Sequence, residues 1–180
     1  MKDLTEKTLK TTPIYNGKIV NLQVDEVLLP DGQKSTRELI KHPGAVAIIP
    51  VTPDDTIIFV RQYRKPLEKT IIEIPAGKLE QGERPEITAI RELEEETGYT
   101  TNNLSFITSF YTSPGFADEL MHIYISTDLQ QLDEKVDGDD DEFIELLELT
   151  LDEAKEYVAR NEIQDAKTNY AILYLENKWR

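Results

Sequence analysis

The chain has 180 residues and a mass of 20.7 kDa, enough for one domain with a small extension to bury its own core. Its 20 basic and 35 acidic residues give a net charge of -15, which argues against nonspecific binding to nucleic acids or anionic membranes. The absence of cysteine excludes disulfides and thiolate metal sites and predicts a reducing, cytoplasmic location. With two histidines, any metal must be held mainly by oxygen, which favours Mg²⁺, Mn²⁺ or Ca²⁺.

The first third of the chain predicts strands. Residues 18–29 and 36–42 alternate imperfectly between apolar and polar side chains, and Asp31-Gly32 between them is a hairpin turn signal, so these strands could form a small sheet. The continuous apolar run at 45–51 is typical of a strand buried on both faces, and residues 57–64 form its predicted hairpin partner.

The central part of the chain predicts a helix at residues 85–97. Pro85 suits its first turn, and Gly98 suits the position after its last turn. Ile87, Ile90 and Leu93 follow at intervals of three residues and predict one buried stripe.

The remaining chain mixes strands and helices. The sequence predicts strands near 104–112, 120–127 and 143–149 and helices at 152–162 and 165–178. Adjacent antiparallel strands with late helices favour an α+β fold over a doubly wound parallel sheet. We therefore predict an N-terminal antiparallel β-subdomain at residues 1–42 and a second domain at residues 43–180.

Three carboxylates on the predicted helix point to metal chemistry. Glu92 and Glu96 are four residues apart, and Glu95 joins the same edge of the helix. Carboxylates stacked in this way repel one another unless a cation lies between them, and Arg91 is the only base close by in sequence. The pattern indicates a divalent cation bound through oxygen, with a solvated acidic helix face as the alternative.

The spacing around these acids matches a known motif. The chain carries Gly77, five residues, Glu83, seven residues, and then Arg91-Glu92-Leu93-x-Glu95-Glu96-x-Gly98-Tyr99, the pattern GX₅EX₇REUXEEXGU. The chain therefore resembles the Nudix hydrolases. This resemblance implies an α/β/α sandwich with a mixed central sheet, in which divalent metal is held by Glu92, Glu95, Glu96 and the carbonyl of Ala76. It also implies that Arg91 and Glu83 form an internal ion pair, that Gly77, Glu83 and Gly98 shape the motif, and that Arg91 and Glu95 serve catalysis.

A second motif narrows the resemblance. Pro114 and Gly115 stand in SPGFADE, sixteen residues after Gly98, as in the ADP-ribose pyrophosphatases of bacteria; a plain turn between strands is the alternative. The resemblance implies Mg²⁺-dependent hydrolysis of ADP-ribose to AMP and ribose 5-phosphate, with about two or three ions per site and Mn²⁺ as a possible substitute. Another nucleoside diphosphate derivative, such as NADH, a sugar nucleotide or a dinucleoside polyphosphate, is an alternative substrate. A non-catalytic domain that senses ADP-ribose is a further alternative.

The same resemblance implies further site residues and a dimer. Arg37 and Glu38 correspond to contacts with the adenine or ribose, and Arg64 to a contact with the diphosphate; exposed strand residues are the alternative. Glu142 in the acidic segment aligns best with the general base, with Asp140 and Asp141 as rivals. The subfamily implies a homodimer through the N-terminal sheets, with active sites shared between subunits. From the net charge of -15 we expect no nucleic-acid or membrane partner.

Overall fold

The structure is a computed structural model that describes residues 2–134, 136 and 143–179. Twelve strands and three α-helices lie in these ranges. The strands are β1 (Lys7–Asn16), β2 (Asn21–Leu28), β3 (Lys34–Lys41), β4 (Ala45–Pro50), β5 (Thr56–Arg64), β6 (Lys69–Glu73), β7 (Ala76–Lys78), β8 (Tyr99–Thr101), β9 (Ser105–Tyr111), β10 (Leu120–Ser126), β11 (Leu129–Gln131) and β12 (Ile144–Thr150). The helices are α1 (Pro85–Thr97), α2 (Leu151–Ala159) and α3 (Ala166–Lys178).

The chain divides into two compact units. The first consists of Met1–Gly44 and Phe110–Leu120, and the second of Ala45–Ser109 and Met121–Arg180. The predicted N-terminal subdomain, residues 1–42, does not include the segment from Phe110 to Leu120.

The first unit is built on an antiparallel sheet with the strand order β1-β2-β3. The predicted turn between β2 and β3 is present, and the Gly32 N–H donates to the Leu29 carbonyl over 2.9 Å. Strand β1 was not predicted, because its sequence, KTLKTTPIYN, contains Pro13 and lacks regular alternation. As an edge strand it tolerates proline, and all ten of its residues are exposed.

The second unit contains a mixed sheet and an antiparallel sheet. In the order β7-β4-β10-β9, β4 lies parallel to β10 and antiparallel to β7. The order β12-β5-β6 is antiparallel throughout. All six residues of β4 are buried, as the continuous apolar run predicts. The mixed sheet, the three helices and the antiparallel N-terminal strands confirm the predicted α+β fold class.

Helix α1 has the bounds that its sequence predicts. It begins at Pro85, and Gly98 ends it with a left-handed φ of 73° while its N–H donates to the Glu94 carbonyl. The predicted buried stripe is wrong at Ile87, which is 45% exposed. The helix instead turns Ala89 and Leu93 inward, where both are fully buried.

The core against α1 also holds a buried phenol. Val46, Ile48 and Tyr124 pack with Ala89 and Leu93 in one apolar cluster. Burial, together with the charge of Glu86 and a hydrogen bond to it, raises the pKa of Tyr124 to about 12. This contact links the first turn of α1 to β10.

The last two helices begin at side-chain caps. Thr150 and Glu153 form a capping box at the start of α2, and the Asp165 carboxylate accepts from the Thr168 N–H at the start of α3. Helix α3 follows its prediction closely, whereas α2 ends three residues before its predicted end at 162. No helix in the described part of the chain has the length and apolar character needed to cross a membrane.

Candidate active site

The glycine that opens the motif is packed directly against a motif carboxylate. A Cβ atom built on Gly77 would lie 1.8 Å from Cδ of Glu92 and 1.9 and 2.3 Å from its two oxygens. No side chain fits between these groups, so the Glu92 carboxylate rests against bare backbone of β7. The glycine requirement at this position therefore comes from close approach, because the backbone of Gly77 does not have a left-handed φ.

The next carboxylate on the same helix face reaches the neighbouring peptide. Glu96 is 5% exposed, and its Oε2 accepts a hydrogen bond from the Ala76 N–H over 3.0 Å. Two residues that are four apart on one face of α1 therefore lie opposite two adjacent residues of β7. Glu92 and Glu96 are held beside Gly77 and Ala76 respectively, which brings together the residues that the motif predicts.

Arg91 joins three acids of the motif. Its Nη1 donates to Glu92 Oε1 and Glu95 Oε2, each over 2.9 Å, and its Nη2 lies 3.3 Å from Glu83 Oε2. The ion pair between Arg91 and Glu83 that the resemblance implies is present in this geometry. Thr88 adds a hydrogen bond from its Oγ1 to Glu83 over 2.8 Å.

The charges of this cluster stabilise one another. The hydrogen bond from Arg91, followed by that from Thr88, holds the pKa of Glu83 below its ordinary value against the opposing effect of desolvation. Desolvation alone would lower the pKa of Arg91, but the hydrogen bond to Glu83 and the charges of Glu92 and Glu95 raise it. Arg91 is therefore a permanent cation among three carboxylates of the motif, those of Glu83, Glu92 and Glu95.

The donor chemistry of the motif fits a hard divalent cation. Glu92, Glu95 and Glu96 offer carboxylate oxygens next to the peptide groups of β7. The packing of Glu92 against Gly77 fixes the position of one of these carboxylates. Among the described side chains, no group of three or more His, Cys, Asp or Glu is already arranged as a metal site. In this arrangement the Arg91 guanidinium supplies the positive charge between Glu92 and Glu95.

Arg64 lies at the end of β5 in a fork-like contact with Glu73. Its Nε donates to Glu73 Oε1 over 3.1 Å and its Nη2 to Oε2 over 2.5 Å. Desolvation lowers the pKa of Arg64, while the bonds to Glu73 and the charges of Glu73 and Glu96 raise it. Arg64 therefore shares an electrostatic environment with the motif carboxylate Glu96.

Sequence reasoning missed Glu73 and Lys167, the buried residues behind Arg64. Glu73 is 3% exposed, and Lys167 Nζ lies 3.2 Å from its Oε2. The available signals were weak: Glu73 stands in a strand-like run, and Lys167 stands in the first turn of a predicted helix. Only the fold shows that both side chains turn inward.

The other predicted site residues belong to the first unit. Arg37 lies in β3 and donates through Nε and Nη2 to Glu6 over 2.9 and 2.6 Å. Glu38 is its neighbour on β3, and Pro114 and Gly115 precede Phe116, whose carbonyl accepts from the Ile40 N–H over 2.8 Å. The structure thus ties the SPGFADE segment to β3. The substrate-binding roles of these residues stay predictions.

The sequence predicts a general base in the acidic segment. Glu142 and its rivals Asp140 and Asp141 lie outside the described residues. Their assignment stays a prediction from the sequence.

Comparison with known proteins identifies the family. The NUDIX domain family matches residues 41–170, and the nucleoside diphosphate sugar hydrolase N-terminal domain matches residues 6–40. The ADP-ribose pyrophosphatase of Bacillus subtilis (strain 168) is 57% identical over 178 residues, which cover 99% of this chain and 96% of that protein. The methanol dehydrogenase activator of Bacillus methanolicus is 55% identical over 171 residues, covering 95% and 92% respectively.

A solved structure supports the same fold. The crystal structure of an ADP compounds hydrolase superposes with a TM-score of 0.85 at 23% identity, covering 99% of this chain and 96% of that one. The motif geometry, this likeness of fold and the family match over residues 41–170 lead to one conclusion: the chain belongs to the Nudix family of hydrolases.

Proposed function

We propose that this protein hydrolyses the diphosphate of ADP-ribose to AMP and ribose 5-phosphate. The observation that carries the proposal is the 57% identity, over nearly the whole of both chains, to a protein named ADP-ribose pyrophosphatase. The close packing of Glu92 on Gly77 supports it, because the motif is intact in space as well as in sequence.

The proposal includes a divalent cation, with Mg²⁺ first and Mn²⁺ as a substitute. Glu92, Glu95, Glu96 and the carbonyl of Ala76 would hold about two or three ions, since all of these donors are oxygens. When bound, the metal offsets the charge of the diphosphate and acidifies water for attack on phosphorus. The contacts of Arg91 orient Glu92 and Glu95 for this role, and Gly77 leaves room for Glu92.

The remaining steps fall to charged and polar side chains of the chain itself. Arg64 would place a fixed cation on the diphosphate, because Glu73 holds one edge of its guanidinium and the side chain remains 38% exposed. Glu142 would accept the proton of the attacking water. Arg37, Glu38, Pro114 and Gly115 would bind the adenosine or terminal ribose.

We also propose a homodimer that shares its active sites through the N-terminal sheet. Strand β1 is an open edge whose apolar side chains Leu9, Ile14 and Tyr15 are 43%, 56% and 61% exposed. Exposed edge strands with apolar side chains are usually covered, and a second copy of the chain could cover this one. A cytoplasmic location and the lack of nucleic-acid and membrane partners stay predictions.

A substrate panel tests the proposed activity. ADP-ribose, NADH, sugar nucleotides and dinucleoside polyphosphates are incubated with the protein, with and without Mg²⁺, and released nucleotides are separated by chromatography. Release of AMP from ADP-ribose at the highest kcat/KM, and only with divalent metal, is the expected result. Preference for another compound would reassign the substrate, and binding of ADP-ribose without any product would indicate a sensing domain.

The relative from Bacillus methanolicus supports a second candidate, the activation of a partner dehydrogenase. At 55% identity its similarity is almost as high as that of the pyrophosphatase. Methanol dehydrogenase of Bacillus methanolicus is assayed with this protein and with its Glu96→Gln variant. Stimulation that is lost in the variant would show that activation requires the hydrolytic site, whereas no stimulation by either protein would reject this candidate.

A further inference from the structure

A buried lysine stands behind the proposed diphosphate arginine. Lys167, in the first turn of α3, is 7% exposed, although lysine is rarely buried without a charged partner. Its Nζ lies 3.1 Å from Asp165 Oδ2 and 3.2 Å from Glu73 Oε2. The ammonium group therefore separates two carboxylates that would otherwise repel each other.

Glu73 contacts both Lys167 and Arg64. Both of its carboxylate oxygens bind the guanidinium, and Oε2 is shared with Lys167. The four side chains form a row of alternating charge, from Asp165 through Lys167 and Glu73 to Arg64. The middle of the row is buried, with the side chains of Lys167 and Glu73 8% and 4% exposed. Its ends are more open, with Asp165 19% and Arg64 38% exposed, so a buried pair supports an accessible cation.

The backbone next to this row is hydrogen-bonded to the first turn of α3. Thr168 donates through its N–H and Oγ1 to Asp165 Oδ2 over 2.9 and 2.7 Å, and the Ile74 N–H donates to Thr168 Oγ1 over 2.9 Å. Ile74 follows Glu73 directly and lies two residues before Ala76. The start of α3 thus holds both the Glu73 side chain and the strand connection that leads into the Nudix motif.

We propose that Lys167 is a positioning residue for diphosphate binding: it holds Glu73 in place, and Glu73 in turn aims the Arg64 guanidinium. The inference rests on the proposed function, because the diphosphate is the group that Arg64 would bind. Without the ammonium group, Glu73 would face Asp165 with no cation between them, and the fork to Arg64 would lose its fixed orientation. Lys167 itself need not touch the substrate.

Steady-state kinetics with ADP-ribose and Mg²⁺ test the proposal through Lys167→Met, which keeps the length of the side chain and removes its charge. We expect KM to rise about tenfold while kcat changes by less than about threefold, because binding is lost and the metal site is kept. Lys155→Met is the matched control. Lys155 pairs with Glu176 over 3.2 Å on the surface of α2 and α3, and its loss should leave both constants within about twofold of the wild type.

A double-mutant cycle separates positioning from a general loss of structure. In an Arg64→Ala background, Lys167→Met should cause no further rise in KM, since the group that it positions is absent. An equal rise in KM in both backgrounds would overturn the proposal and leave Lys167 a purely structural residue. If Lys167→Met does not fold, Lys167→Gln provides the same comparison with a polar side chain.

A measurement without substrate keeps this inference distinct from the proposed activity. The Arg64 Nε–H signal in a ¹⁵N-labelled sample is assigned from its loss in Arg64→Lys. It should exchange slowly with water in the wild type, and rapidly in Lys167→Met, while Mn²⁺ affinity stays the same. An unchanged Arg64 signal would overturn the linkage. A wild-type protein that does not hydrolyse ADP-ribose would refute the proposed function alone.

Discussion

Replacing Gly77 by alanine tests the central contact of the site. The added Cβ would lie 1.8 Å from Cδ of Glu92, so the carboxylate must withdraw by roughly 1.7 Å to reach ordinary contact. That movement would strain its 2.9 Å bond to Arg91 Nη1. Since an error of about 1 Å in a reacting group can cost about 10²-fold in rate, we expect kcat to fall by about 10²–10³-fold.

The stability of this variant should change much less than its activity. The backbone of Gly77 accepts alanine, and the clash involves the flexible end of one side chain, so unfolding should be easier by about 1–2 kcal/mol at most. AMP release at saturating ADP-ribose and Mg²⁺ measures kcat, and thermal unfolding measures stability. In a Glu92→Ala background, Gly77→Ala should cost nothing further, because the clashing group is gone. Activity within threefold of the wild type would refute the reasoning.

Four other outcomes follow from the sequence and the structure. Glu96→Gln should lower kcat by about 10²–10⁴-fold through loss of a metal ligand, whereas the control Glu94→Gln on the same helix should stay within about threefold. Glu142→Gln should lower kcat by roughly 10²–10⁴-fold with little change in KM, and Asp141→Asn should do much less; the reverse order would shift the base to the aspartate. Light scattering at micromolar concentration should give about twice the chain mass of 20.7 kDa, and a fully active monomer would exclude the shared site. Burial and a neighbouring carboxylate raise the pKa of Tyr124 to about 12, so its contribution to stability should be complete below about pH 10 and lost towards pH 12. Ultraviolet titration should show one tyrosine that ionises near pH 12, and this signal should be absent in Tyr124→Phe.

The motif helix was predictable because its signals are local. Pro85 and Gly98 set its ends, and the spacing of its acids placed Glu92, Glu95 and Glu96 together before any fold was known. The orientation of the helix was not predictable from intervals of three residues alone. The Glu96 carboxylate can be buried because the Ala76 N–H, on a different element, donates a hydrogen bond to it. The rotation of α1 about its axis that brings Glu96 inward leaves Ile87 exposed to solvent.

The residues that were missed depend on distant parts of the chain. Glu73 and Lys167 are 94 residues apart in sequence, and each looks like an ordinary surface charge within its own element. Their burial follows from the way α3 meets the end of β6, which no local pattern encodes. Strand β1 was missed for a related reason, because its pairing with β2 holds it extended in spite of Pro13.

The exposure of β1 has a consequence for how the N-terminal unit folds. Among the described residues of that unit, Val27, at 4% exposure, is the one buried apolar side chain. A sheet with so little interior cannot offset the conformational entropy of its own strands. In the proposed dimer, its folding would therefore obey mass action: dilution would melt this sheet before the second unit, and the midpoint of its transition would rise with protein concentration.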